Sequence, residues 1–137
     1  MESRTKDIEM LDTCVALRTM LGDVAEQSKK AVKLLNREGV RYYISDMMVF
    51  EAVFVMEKKM GLSRETIVES LEEFLEGKNI CNGTGIFDGV FGMYLEHPKL
   101  SFADCYLAVQ AGGQGTTPLW TFDRKLAGQA EEAELVR

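Results

Sequence analysis

Cysteine is scarce and unpatterned in this chain of 137 residues: Cys14, Cys81 and Cys105 are odd in number, widely spaced and form no Cys-x-x-Cys pair. Neither a disulfide framework nor a standard zinc ribbon is encoded, and the three read as reduced thiols. Positive charge is also short, with 16 Lys and Arg against 22 Asp and Glu and a formal net charge of −6. That balance disfavours loose electrostatic attraction to nucleic acid, so phosphate chemistry here needs a local basic groove or bound cations. The longest apolar run is interrupted by Glu51 and falls far below the length that crosses a bilayer. The start, MESRTKDIEM, has no apolar signal-peptide core, so a cytoplasmic protein without membrane association is expected. Repeats, low-complexity blocks and linkers are missing too. What is present, 46% hydrophobic and 28% charged residues over this length, suits one compact domain spanning residues 1–137.

Short β-forming segments alternate with helical patterns, which predicts an α/β fold with a parallel sheet covered by helices on both faces. The segment DIEML is an apolar strand that stops at Asp12-Thr13, and VALRTML is a helix ending at Gly22. VAEQSKKAVKLLNREG is an amphipathic helix with Ala31, Val32, Leu34 and Leu35 inward and Gly39 as its stop, followed by the strand VRYYIS. Asp46 is placed to cap a helix from Met47 to Met60 whose apolar positions wrap most of its circumference, implying a central element. RETIVESLEEFL carries a buried stripe of Ile67, Leu71, Phe74 and Leu75. NICNGTG is a poor strand candidate, followed by a helix from Ile86 to Glu96 that His97-Pro98 terminates. SFADCYLAVQA opens on Ser101 as a cap, the Gly-rich loop GGQGTT follows, and the last apolar strand, PLWTF, stops at Asp123.

Within MMVFEAVFVM a single carboxylate, Glu51, sits among apolar residues. Burial of an ionised carboxylate costs several kcal/mol (about) unless a cation offsets it, so Glu51 calls for a partner. Asp12 and Asp123 each follow an apolar strand and Asp104 opens a helix. In open α/β sheets the crevice at the carboxyl ends of the strands is where ligand sites are built. Four carboxylates gathered there repel one another unless divalent cations sit among them, and hard oxygen ligands suit magnesium or manganese. Each residue also has a structural reading: Asp12, Asp104 and Asp123 as helix or turn caps, and Glu51 as a protonated or Arg-paired core glutamate. Asp46 reads as a cap, and Asp23, Asp88 and the EEAE of the tail as solvated faces. His97 reads as a helix-end residue, and Cys14 and Cys105 as small buried hydrophobes.

The segments MLDTCVALR, ISDMMVFEAVFVMEKKMGLSRETI, LSFADCYLAVQA and LWTFDRKLAG resemble, in order and spacing over nearly the whole chain, the four motif regions of PIN-domain ribonucleases, in particular VapC-like toxins of toxin–antitoxin pairs. The resemblance implies a three-layer α/β/α sandwich with a central parallel sheet and a Mg2+- or Mn2+-dependent endoribonuclease. It implies Asp12, Glu51, Asp104 and Asp123 as the catalytic metal ligands, with Thr121 and Thr13 supporting the site. Cys14 departs from the Asn or Ser that commonly follows the Asp-Thr pair. Arg18, Lys58, Arg124 and Lys125, close in sequence to the acidic motifs, are candidates for binding the flanking phosphates of an RNA substrate. A homodimer and a cognate antitoxin are the implied partners. A receiver-like phosphoacceptor domain fits poorly, since Asp12 is followed by Thr13-Cys14 and the late strand offers Asp123 in place of lysine. A non-catalytic binding module on the same fold and a PIN nuclease of RNA processing are the alternatives.

Overall fold

In the computed structural model, which describes residues 7–137, the chain falls into two units that meet in sequence at Gly83 and Thr84. The first six residues, part of the segment MESRTKDIEM, lie outside the described ones.

The first unit contains three parallel strands in the order β1 (Ile8–Met10), β2 (Arg41–Tyr43), β3 (Ile80–Cys81), with Glu9 opposite Tyr42 and Tyr42 opposite Ile80. Parallel neighbours need helical crossovers. These are α1 (Thr13–Leu21) and α2 (Ala25–Leu35) between β1 and β2, and α3 (Asp46–Phe54), a π-helical turn (Val55–Lys59) and α4 (Arg64–Leu75) between β2 and β3. Tyr42, on the central strand and almost wholly buried, donates its hydroxyl to the Leu34 carbonyl at 2.6 Å and accepts from Arg37 Nε at 2.9 Å. The polar end of a core residue thereby adds a second donor to a carbonyl in the last turn of α2, beside the Arg37 amide. Leu11, Leu17, Ile44, Val49, Val53 and Met56 are buried in the same unit.

Several local expectations change in this unit. The helix expected to stop at Gly39 ends at Leu35, because the Asn36 and Arg37 amides reach back to Lys33 and Leu34 and tighten the last turn. Val32, expected inward, is exposed: it stands about 100° round the helix from buried Ala31, while Leu34 and Leu35 are half-buried. Ser45, not Asp46, caps α3, its hydroxyl accepting from the Met48 amide, and Asp46 instead receives Asn82 Nδ2 at 2.9 Å. Regular α-helix does not continue to Met60 but gives way to the π turn, closed by the Met60 amide on the Val55 carbonyl. Nor is this element buried all round, since Met47, Glu51 and Phe54, one turn apart in succession, form an exposed stripe. In α4, Ile67, Leu71 and Phe74 are buried as expected, with Val68 joining them and Leu75 half-buried.

The second unit holds α5 (Phe87–Glu96), α6 (Phe102–Gln114), β4 (Leu119–Thr121), α7 (Arg124–Gln129) and β5 (Ala133–Leu135). The two strands pair in parallel, Leu119 opposite Ala133 and Thr121 opposite Leu135. Helices α5 and α6 pack through stacked and edge-on rings, with Phe87 stacked on Phe102 at 6.1 Å and Tyr94 edge-on to Phe102 at 5.2 Å. His97 ends α5 as expected and lies 3.1 Å from Gln129 Oε1 of α7. The Gly-rich segment is not wholly loop: α6 continues through Gly112 and Gly113 until Gly115 turns left-handed at φ +70°. Helix α7 and strand β5 were not anticipated. Glu131 and Glu134 are exposed as expected while Glu132 is half-buried, and Glu134 lies within β5 because the backbone there completes a ladder with β4.

Candidate functional site

The buried Leu11 brings the chain out of β1 in extended conformation, and Asp12 becomes the N-cap of α1. Its Oδ1 accepts the Thr13 amide at 2.8 Å, and its Oδ2 accepts the Cys14 thiol at 3.2 Å. Thr13 is the one polar residue buried among the described residues, and its hydroxyl donates to Glu51 Oε1 at 2.5 Å. Two carboxylates 39 residues apart are therefore joined to one threonine at the carboxyl end of β1, where α1 packs on α3. Among the described residues no Lys or Arg pairs with either. Glu51 is not the buried core carboxylate that its neighbours suggest: it lies on the exposed stripe of α3. Its apolar neighbours bury the other faces of the helix, so desolvation is not what demands a cation here.

Cys14 is exposed, not buried. Its hydrogen bond to Asp12, then loss of solvent and the negative charge of Asp12, hold the thiol above its ordinary pKa. Cys14 therefore supplies Asp12 with a neutral donor, where the family's Asn or Ser would also donate. Cys105 is buried, in keeping with the expectation for a small hydrophobe.

In the second unit Asp104 and Ser101 form a capping box. The Ser101 hydroxyl accepts the Asp104 amide at 3.1 Å, and Asp104 Oδ2 accepts the Ser101 amide at 3.3 Å. Asp123 is the N-cap of α7, with Oδ1 accepting from the Lys125 and Leu126 amides at 2.8 and 3.4 Å. Thr121 Oγ1 in turn accepts the Asp123 amide at 2.9 Å, which fixes the bend into the cap. Asp12 and Asp123 are thus caps, as their structural reading anticipates, whereas at α6 the cap is Ser101 and Asp104 is its partner in the capping box. Capping does not exhaust a carboxylate, because a backbone amide holds one oxygen and orients the other.

Of the four candidate phosphate-binding cations, two are engaged. Arg18 Nε donates to Gln27 Oε1 at 2.7 Å and its Nη1 lies 3.5 Å from Asp23, which draws the guanidinium toward α2. Lys58 is 3.5 Å from Glu57. Arg124 and Lys125 open α7 directly after Asp123, are exposed, and have no carboxylate partner among the described residues.

A family model described as PIN domain matches residues 10–132. The chain belongs to the PIN-domain family. No curated protein matches it. The PIN domain is a nuclease-type fold, an α/β sandwich with parallel strands, which agrees with the parallel pairing in both sheets. PIN domains are generally hydrolases of this kind and usually use Mg2+ or Mn2+. The candidate ligands of this PIN domain are carboxylate oxygens, a donor type that suits such hard cations. Within each unit, among the described residues, no three His, Cys, Asp or Glu side chains stand together as a ready-made metal cluster. The Asp12–Thr13–Glu51 group contributes two. No described helix is long and apolar enough to cross a membrane.

Proposed function

We propose that this PIN domain is a metal-dependent endoribonuclease of the cytoplasm, the VapC-like toxin of a toxin–antitoxin pair, its 137 residues acting as one domain. The observation that carries the reading is the buried Thr13 hydroxyl, which holds Glu51 beside the Asp12 cap, in a chain whose match to the PIN model spans residues 10–132. A buried threonine bonded to an exposed glutamate across 38 residues adds little to a core, whereas it fixes the aim of a ligand carboxylate. A bound Mg2+ or Mn2+ would supply Lewis-acid stabilisation of the phosphate and lower the pKa of a bound water.

The chain's own residues do the remainder. Asp12, Glu51, Asp104 and Asp123 hold the cation, and three of them are oriented by backbone amides that they accept. Thr13 holds Glu51, and Thr121 holds the backbone of Asp123. Arg124 and Lys125 neutralise the phosphates flanking the scissile bond, offsetting the repulsion that a chain of net charge −6 exerts on RNA. Arg18 and Lys58 contribute only if they leave Asp23 and Glu57. A homodimer and an antitoxin whose peptide covers the acidic site complete the proposal.

The test is cleavage of single-stranded RNA by protein freed of any partner, with Mn2+, with EDTA and with the Asp12→Asn variant. Asn retains the cap oxygen, so the variant stays folded. Cleavage that needs the metal and is lost in the variant supports the proposal. A folded wild-type protein that cuts no RNA with either metal overturns it and leaves a binding module on the same fold.

A further inference from the structure

The second unit exposes two large aromatic side chains beside Asp123. Trp120 is 58% exposed and Phe122 is 81% exposed, the highest value for a large hydrophobic among the described residues. Residues 119 and 121 are half-buried, so the two-residue alternation of β4 carries Trp120 to its open side, and Phe122 follows in the exposed bend directly after the strand. Neither ring has a stacking or cation partner among the described residues. A hollow of about 390 Å3 beside Trp120 is lined by Glu134, Leu135, Val136 and Arg137.

Single apolar residues on a surface are ordinary, but this pair has particular neighbours. Asp123 follows Phe122, and Arg124 and Lys125, cations without carboxylate partners among the described residues, come next in the first turn of α7. Arg137 shares the hollow with Trp120, and Glu134, opposite Trp120 in the ladder, is the opposing charge. Exposed rings beside unpaired cations form the chemistry that holds single-stranded nucleic acid, since every base has a face to stack and every linkage a phosphate to neutralise. A protein partner would use the apolar area but would have no need of the cations.

We infer that Trp120 and Phe122 form a base-stacking platform for single-stranded RNA, with Arg124 and Lys125 gripping its backbone next to Asp123. This rests on the nuclease reading for the identity of the strand, and it makes unpaired bases the required substrate. A duplex, whose bases are already stacked, gives the two rings nothing to hold.

Trp120 is the chain's one tryptophan, so its emission reports directly on the platform without any turnover. The experiment titrates the full chain in EDTA with a short single-stranded RNA, its duplex, and an abasic phosphodiester of equal length, then repeats the titration with Phe122→Ala and Phe122→Leu. Quenching by the single strand alone, with affinity about tenfold or more weaker in both variants, is the expected result. Phe122→Leu keeps apolar area but no ring, so binding retained in this variant overturns stacking. Wild-type protein that cuts RNA with metal while Trp120 emission never responds overturns the platform and leaves the nuclease. Quenching by a protein that cuts nothing keeps the platform and removes the nuclease. Emission that shifts to the blue with protein concentration alone assigns this face to a second copy and overturns the inference.

Discussion

Replacement of Asp123 by Asn and by Ala separates its two roles. As a cap, its Oδ1 accepts two amides of α7, Lys125 at 2.8 Å and Leu126 at 3.4 Å, and Leu126 is buried. Asn keeps that acceptor and gives up the attraction of a carboxylate for the helix N-terminus, about 0.3–1 kcal/mol. Ala removes the acceptor as well, and loss of a cap costs about 1 kcal/mol with an upper end near 2. At roughly 2 cal/mol/K of unfolding entropy per residue, 1 kcal/mol over a chain of this length lowers Tm by about 3–4 °C. Thermal melts should therefore rank wild type, Asn and Ala in that order. If Asp123 is also a ligand, metal-dependent cleavage falls by about a hundredfold or more in both variants, equivalent to about 2.7 kcal/mol of transition-state stabilisation. Activity would then follow the charge while stability follows the acceptor. Wild-type cleavage by Asp123→Asn, with only Ala impaired in stability, refutes the ligand role and leaves a cap.

Thr13→Val keeps shape and burial but removes the bond to Glu51, so cleavage should drop by about 10–100-fold and recover in Thr13→Ser, with circular dichroism unchanged. Equal activity in the Val variant would show that Thr13 does not aim Glu51. Tyr42→Phe strips a buried hydroxyl from the Leu34 carbonyl and from Arg37, and should cost about 1–3 kcal/mol as a lower urea midpoint at constant m. An unmoved midpoint would mean that water or side-chain rearrangement replaces both bonds. Ser101→Ala opens the capping box of α6 and should lower stability by about 1 kcal/mol, read from the same urea curves, while leaving Asp104 its charge and the metal requirement for cleavage intact.

Much of this molecule follows from residues near one another in sequence. The caps at Asp12, Ser101 and Asp123, the left-handed stop at Gly22 and the apolar stripe of α4 need only neighbours within one turn, so their pattern can be read directly. The PIN motifs belong to the same class, because an acid placed after a strand or at the head of a helix is a local arrangement. Other features depend on partners far along the chain. Which side of α3 stays open, and hence that Glu51 is exposed and held by Thr13, is decided by packing on α1 across 38 residues. Asp46 yields the cap to Ser45 and meets Asn82, 36 residues away, while β5 forms only because β4 offers it a ladder. Gln27 and Asp23 draw Arg18 away, whereas Arg124 and Lys125 meet no such carboxylate among the described residues. The sequence by itself determined most of the helices, the caps at Asp12, Ser101 and Asp123, and the acids that carry the family's chemistry, because backbone hydrogen bonding is local. Only the tertiary structure decided which of those charges face solvent and which side chains hold them, because burial and pairing are properties of surfaces that meet after the chain has folded.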